Sequence, residues 1–322
     1  MGGTSRVPAL TSAYMTITVR DLRLDVPADP EAFCRVRDAA LPYLLFTPAS
    51  VAHDITHSHP DAHVRRLVAE VDGVLAGTAQ ISLAHDAPEP GKANLNVYVD
   101  PAYEGRGAGT ALRETAEEYL SGLGATHLYA WVLDAPRNLA YAERAGYRPS
   151  RSAHFLRLDL TAAALTPPSV PAGVELRTAA DYAADPRPLF ALDAEVTSDE
   201  PGDVGTEFTD YEAWVEENWR HPHLDRALTS VVVVDGRPVA LSVAHTDGAG
   251  RYHTAMTGTA RAHRGRGLAK LAKAASLYRA REAGCTVAFT SNDSDNTPML
   301  AINKGFGYEI RATEIRHVRD LV

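Results

Sequence analysis

The chain has 322 residues, 45% of them hydrophobic and 23% charged, with a formal net charge of −9. That length exceeds one typical domain of about 100–200 residues, so two cores are expected, and the acidic balance excludes a general nucleic-acid binder while leaving room for a local basic pocket. Its two cysteines, Cys34 and Cys285, fall in different halves, and no apolar run approaches the roughly 20 residues of a membrane span, so a cytoplasmic chain with reduced thiols and no membrane partner is expected.

Residues 1–14 are polar and small and read as a flexible leader rather than a signal peptide. A short strand is expected at 17–19, helices at 30–40 and 48–56, and a hairpin at 64–71 and 74–83 around Asp72-Gly73, a dipeptide that favours two-residue hairpin turns. A strand at 93–99 leads into a glycine-rich turn, Glu104, Gly105, Arg106, Gly107, Ala108 and Gly109, which opens a helix at 107–123. Strand 128–132, a short helix ending at Gly146-Tyr147 and a last strand at 154–160 close the first half. The stretch TAAALTPPSVPAG at 161–173 holds three prolines and marks a junction. The expected boundaries are 15–161 for the first domain, 162–172 for a linker and 173–322 for the second.

The second half repeats this order: a strand at 174–177, helices at 186–196 and 209–219, and a hairpin at 227–234 and 238–245 around Asp235-Gly236. Strand 253–259 then enters a second turn, Arg264, Gly265, Arg266, Gly267, Leu268 and Ala269, followed by a helix at 267–283, a strand at 287–290, a helix ending at Gly307-Tyr308 and a last strand at 310–318. The turns lie 266 − 106 = 160 residues apart and the Gly-Tyr endings 307 − 146 = 161, which identifies an internal repeat. The fold class is α/β in the α+β sense: two tandem units, each a mostly antiparallel mixed sheet flanked by helices, since a doubly wound sheet would alternate strand and helix throughout.

A helix N-terminus leaves N–H groups free and carries partial positive charge, and glycines let the backbone approach an anion, so a pyrophosphate suits each turn. Neither turn carries the Lys-Ser/Thr of a Walker A loop, and the hairpin-rich context argues against a dinucleotide-binding unit. With an Arg/Gln-x-x-Gly-x-Gly/Ala pattern after the fourth strand, the chain resembles the GNAT acetyltransferase superfamily, twice over, and in particular the two-domain members common in actinomycetes. Arg264, Gly267 and Ala269 complete the pattern in the second half; Gly107 and Gly109 match in the first, where Glu104 replaces the Arg/Gln.

The resemblance implies acetyl-CoA, or another acyl-CoA, as donor, with its pyrophosphate on the two turns. It places pantetheine along Val97, Tyr98 and Val99 in the first half and Thr257, Gly258 and Thr259 in the second, with Asn138 and Asn296 offered from the later helices. Lys270 and Lys273, three apart on one helix face, could meet a CoA phosphate, or form a solvated pair. The family's acid tyrosine falls on Ala142 and Asn303, so both halves lack it; Tyr141 is turned about 100° away and reads as a packing residue.

Acylating a small-molecule amine needs a neutral amine, and an amine resembling lysine, with a pKa of about 10.4, is mostly charged at neutral pH, so a base or desolvating pocket is useful. The candidates are His253 and His245 on strands beside the acceptor cleft, Glu200 and Asp203 in an acidic loop, and Asn303 near the leaving sulfur. His53, His57, His59 and His63 read as a polar rim and not as a metal site, for want of cysteine and because Pro60 interrupts them. The expected function is an acetyl-CoA-dependent N-acyltransferase, with the second half favoured as catalytic; a non-catalytic acyl-CoA-binding or scaffolding protein, or a protein N-acetyltransferase, are the alternatives.

Overall fold

A computed structural model describes residues 15–321 except 201, 205 and 206, so the expected leader at 1–14 lies outside the described residues apart from its boundary. The first half runs β1 (Ile17–Asp21), α1 (Ala28–Ala40), α2 (Pro48–Thr56), β2 (Arg65–Val71), β3 (Val74–Leu83), β4 (Lys92–Val99), α3 (Ala108–Gly122), β5 (His127–Leu133), α4 (Pro136–Arg144) and β6 (Arg148–Asp159). The second runs β7 (Val174–Thr178), α5 (Arg187–Thr197), α6 (Tyr211–Trp214), β8 (Ser230–Val234), β9 (Arg237–Thr246), β10 (Arg251–Thr259), α7 (Leu268–Glu282), β11 (Val287–Asp293), α8 (Thr297–Gly305) and β12 (Glu309–Asp320).

Both Asp-Gly hairpins form as expected. Asp72 and Gly73 have φ of 50° and 81°, Asp235 and Gly236 of 50° and 73°, the double positive φ that matches the twist of paired strands. Helix α3 buries Ala108, Leu112, Ala116 and Leu120 at four-residue spacing against Leu95, Ile81 and Leu128 of the first sheet. Helix α7 buries Leu268, Ala272, Ser276 and Ala280, each 160 residues later. These stripes hold each glycine turn at the end of a strand.

Two expectations need correcting. The segment expected as one helix over 209–219 is α-helical only over α6; a π-turn follows over Val215–Trp219, where the Arg220 N–H reaches Val215 O at 2.9 Å. Trp214 and Trp219 stack there, 6.0 Å apart, against the apolar face of β8. Nor does each half close on its own last strand. All strands join one sheet of order β1-β2-β3-β4-β5-β12-β6-β11-β10-β9-β8-β7. β12 lies between β5 and β6, and β6 lies between β12 and β11, so the two final strands are exchanged. Alternation along a strand specifies which face is buried, but it does not name the partner.

Candidate active site

Strands β4 and β5 pair only where Lys92, Ala93 and Asn94 meet His127, Leu128 and Tyr129, and then part. β4 stays on β3 as far as Val99, so beyond Asn94 its other edge has no strand partner. Asn96 Oδ1 spans the opening and accepts the Trp131 N–H at 2.8 Å. A cleft of about 450 Å³ lies between the parted strands, the glycine turn and α4. It is lined by Val97, Tyr98, Val99, Glu104, Gly105, Gly107, Ala108, Gly109 and Asn138, all expected from the sequence. Gly107 caps α3 with φ of 91°, a conformation open to glycine. A Cβ added at Gly109 would lie 3.3 Å from Val99, so this glycine keeps the helix start close to β4. Arg106 points elsewhere, over the ring of Tyr103 at 4.9 Å.

The cleft also holds residues the sequence reading missed: Arg113, Arg137, Arg144 and Trp131. Arg137 Nη1 pairs with Glu104 at 3.1 Å, and a Cβ at Gly105 would fall 2.5 Å from Arg137 Nη2. The guanidinium therefore lies over the turn and restores the positive charge that Glu104 offsets. The signal was Arg137 itself, a cation in the first turn of α4, where it opposes the helix dipole. Tyr141, expected to pack, instead lines the cleft, where its hydroxyl donates to Thr110 Oγ1 at 3.1 Å and accepts from Arg113 Nε at 3.0 Å.

In the second half β10 and β11 pair from Arg251 to Thr254 against Val287 to Thr290 and then part in the same way. Thr257, Gly258 and Thr259 lie past the parting. Thr257 Oγ1 meets Ser242 Oγ at 3.1 Å, and a Cβ at Gly258 would sit 2.6 Å from Val196, so Gly258 admits α5 onto the strand. Gly265 and Gly267 have φ of 75° and 74°, with Gly267 capping α7 ahead of buried Leu268 and half-buried Ala269. Arg264 Nε donates to Thr259 O at 3.2 Å and its Nη2 pairs with Asp199, which also holds Arg261 at 2.7 Å. Hydrogen bonds from Arg261 and then Arg264 draw the Asp199 carboxyl down to about 2. Arg266 meets His263 Nδ1 at 3.0 Å, and Asn296 caps α8 by accepting the Met299 N–H at 3.3 Å.

Lys270 is exposed at the helix surface, but Lys273 is not a surface partner for it: Lys273 is 1% exposed and its Nζ lies 5.1 Å from the Tyr308 ring centre. Burial pushes its ammonium down to about 7. Asn303 is fully buried; its Nδ2 donates to Asn292 Oδ1 at 2.5 Å and its Oδ1 has no partner among the described residues. His253 faces His245 across the β9–β10 ladder, with Nε2 buried and unpaired, and burial lowers its imidazole to about 4, with the nearby Lys273 charge adding to the effect. Glu200 is exposed beyond the end of α5. Among the described residues Asn303, His253 and Glu200 share no hydrogen bond.

A second cavity, of about 550 Å³, shares one lining residue, Trp131, with the first-half cleft. Asp54, Asp86, His53, His57 and His85 of the first half line it, with Gly202, Asp203, Val204, Glu217 and Arg316 from the second. Lys92 Nζ donates to Asp203 O at 3.0 Å and Ser150 Oγ to Asp203 Oδ2 at 2.5 Å, which ties the second-half loop over the first-half strand. Arg316 Nη2 donates to Asn94 Oδ1 at 2.7 Å and its guanidinium stands 5.1 Å from the Trp131 ring. Of the four clustered histidines, His53 and His57 reach this cavity; His59 stacks on His85 at 4.7 Å, and His63 follows a short turn with φ of 47°.

The model of the acetyltransferase (GNAT) family matches residues 33–147 and again 191–308. The chain belongs to the GNAT acetyltransferase family. Mycothiol acetyltransferase of Nocardia farcinica is 32% identical over 81% of this chain and 84% of that protein. The enzyme of the same name from Kineococcus radiotolerans is 29% identical over 80% and 82%. Among solved structures, a GCN5-related N-acetyltransferase from Sphaerobacter thermophilus superimposes with a TM-score of 0.71 at 20% identity, covering 94% of this chain and 95% of that one. A tandem GNAT protein from the clavulanic acid biosynthesis pathway gives 0.70 at 20%, covering 95% and 98%. These two likenesses establish the tandem GNAT fold. Within it, Ala142 and Asn303 stand where the sequence resemblance places the acid tyrosine, and Tyr141, next to Ala142 in the chain, lines the first-half cleft together with Tyr98, Tyr103 and Tyr147.

Proposed function

We propose that this GNAT acetyltransferase takes its acyl group from acetyl-CoA bound in the first-half cleft and passes it to a small-molecule amine in the adjoining cavity. The observation that carries this is Trp131, common to the lining of both spaces at the point where β4 and β5 part. The donor cleft fits the ligand: Arg113, Arg137 and Arg144 supply charge for phosphates, the α3 N-terminus supplies amides, and the unpaired edge of β4 suits an extended amide-bearing arm. Acetyl-CoA would supply the activated thioester. Val97, Tyr98, Val99 and Asn138 would align it.

The acceptor cavity carries both signs of charge, which suits a small polar amine with further polar groups. The Asp86 carboxylate has no ion pair or hydrogen bond from its side chain among the described residues, and so is free to hold an ammonium. His57 and His85 offer imidazoles for accepting the proton an amine must lose. Turned away from Thr110 Oγ1, to which it now donates, Tyr141 would be the donor-side hydroxyl for the departing sulfur.

A second reading keeps the chemistry in the second half, favoured by its complete turn with Arg264, with His253 as its candidate base, Glu200 as the acid facing a cationic amine and Asn303 as a hydrogen-bond partner for the sulfur. Two variants separate the readings without strained φ. Gly109→Trp fills the first cleft and Ala269→Trp its counterpart. Calorimetry with acetyl-CoA and a thiol-release assay across an amine panel should show Gly109→Trp losing binding and turnover while Ala269→Trp keeps turnover. The reverse pattern transfers the reaction to the second half. Binding without amine-dependent thiol release in the parent protein makes it an acyl-CoA binder.

A further inference from the structure

The turn after the π-helix brings together histidines that lie apart in sequence. His221, His223 and His245 place one imidazole nitrogen each within 4.8 Å of the others. The backbone beneath them is fixed. Leu224 forms a bridge with His245, the Thr246 N–H bonds His223 O at 2.8 Å, and the Asp225 N–H bonds Ala244 O at 2.9 Å. The two segments thus hold their side chains on one short ladder. The nitrogens are also already sorted. His221 Nε2 lies 3.4 Å from the Asp54 carboxylate of α2, which leaves Nδ1 as its ligand atom; Nδ1 now accepts the His223 backbone N–H at 3.2 Å, a contact that a bound ion would replace. His223 Nε2 is 3.1 Å from Thr47 Oγ1, leaving Nδ1 for another partner. His245 makes no hydrogen bond from its ring among the described residues, and His253, directly opposite it in the ladder, keeps Nε2 buried and unpaired.

We propose that His221, His223 and His245 form a binding site for a divalent transition-metal ion, zinc being the best match, with Asp54 orienting His221 from outside the ligand set. Three imidazoles are a zinc donor set that leaves a fourth position for water, an acceptor group or His253. Zinc–nitrogen bonds of about 2.0–2.1 Å in a tetrahedron put ligand atoms about 3.3 Å apart, so side-chain rotations on the fixed ladder complete the site. The Asp54 contact reproduces the carboxylate–histidine pairing that sets ring orientation in metal sites. Asp54 comes from the first half and the three histidines from the second, so the ion joins the halves beside the acceptor cavity. His53 to His63 form the dense histidine cluster of the sequence; the chelating set lies elsewhere because it depends on a turn meeting a strand.

The full chain, stripped with EDTA and dialysed, should bind one equivalent of zinc chloride by calorimetry and by elemental analysis, and its Tm should rise with zinc and fall again with EDTA. His221→Ala and His245→Ala should each lose this binding, Asp54→Asn should weaken it by about 10–100-fold, and His127→Ala, at an exposed position on β5, should leave it unchanged. If a histidine variant fails to fold, diethyl pyrocarbonate labelling of the parent protein read by mass spectrometry replaces it: zinc should shield His221, His223 and His245 and leave His127 equally reactive. Absence of saturable zinc binding, retained stoichiometry in His245→Ala, or protection confined to His53, His57, His59 and His63 would each overturn the site.

Discussion

Lys273 points its ammonium at the ring of Tyr308 from 5.1 Å, and among the described residues it has no carboxylate partner. Its counterpart 160 residues earlier, Arg113, is paired with Glu117 at 2.6 Å. Burial holds the Lys273 ammonium near 7, below its usual 10.5. The unfolded chain therefore binds the extra proton between these values, and stability rises with pH across that window, by up to about 1.4 kcal/mol per pH unit. Urea denaturation at pH 7 and pH 9 should show the gain in the parent and a flatter profile in Lys273→Met, which keeps the volume and removes the charge. An equal pH response in both would exclude Lys273 as its source.

The pair Arg137 and Glu104 gives opposite expectations for its two members. Arg137→Ala removes a cation over the glycine turn, and a charge-assisted contact of about 1.5–3 kcal/mol corresponds to roughly tenfold or more in Kd for acetyl-CoA. Glu104→Gln removes an anion that would compete with a bound pyrophosphate for the same guanidinium and should tighten binding. Calorimetry at two salt concentrations checks both, since the Arg137→Ala loss should shrink as salt screens the exposed charges. Loss of affinity in Glu104→Gln would mean that the acid positions Arg137.

Tyr98 joins β4 to the exchanged strand β12: its hydroxyl donates to Glu314 Oε1 at 2.7 Å, and Arg37 stacks on its ring at 3.3 Å. Burial raises the Glu314 carboxyl above its usual value. Tyr98→Phe leaves this buried acid without its phenol, which costs about 1–3 kcal/mol. Because the folded state holds the Glu314 proton more tightly than the unfolded chain, Glu314 makes stability fall as pH rises above the ordinary glutamate value. Glu314→Gln should lessen that fall, as measured by chemical denaturation from pH 4 upward. A steeper decline in Glu314→Gln would contradict the assignment.

Local order was largely legible in the sequence because it is written locally: Asp72-Gly73 and Asp235-Gly236 set their turns, and the four-residue stripes of α3 and α7 set their buried faces. The strand and turn that line the first-half cleft were legible for the same reason, from Val97 through Gly109. What escaped depends on distant encounters. Arg137 meets Glu104 across 33 residues and Arg316 meets Asn94 across 222, and neither spacing leaves a period to detect. The offset of Tyr141 on an ideal helix points to packing, yet Arg113 and Thr110 of α3 hold its hydroxyl in the cleft.

Strand exchange makes a strong demand on the intact chain. β6 runs between β11 and β12, both from the second half, and β12 runs between β5 and β6. A fragment ending near residue 161 would keep β6 without either neighbour and would expose the edge of β5. Its unpaired strands would invite association, as bare edges do. The isolated fragments 15–161 and 173–322 should therefore be aggregated or unfolded when made separately, by size-exclusion chromatography and circular dichroism. Co-expression should recover a soluble 1:1 complex, because the exchanged strands need no covalent link once aligned. Two separately soluble, cooperatively folding monomers would show that each half can close on its own last strand, and that the exchange is not required for stability.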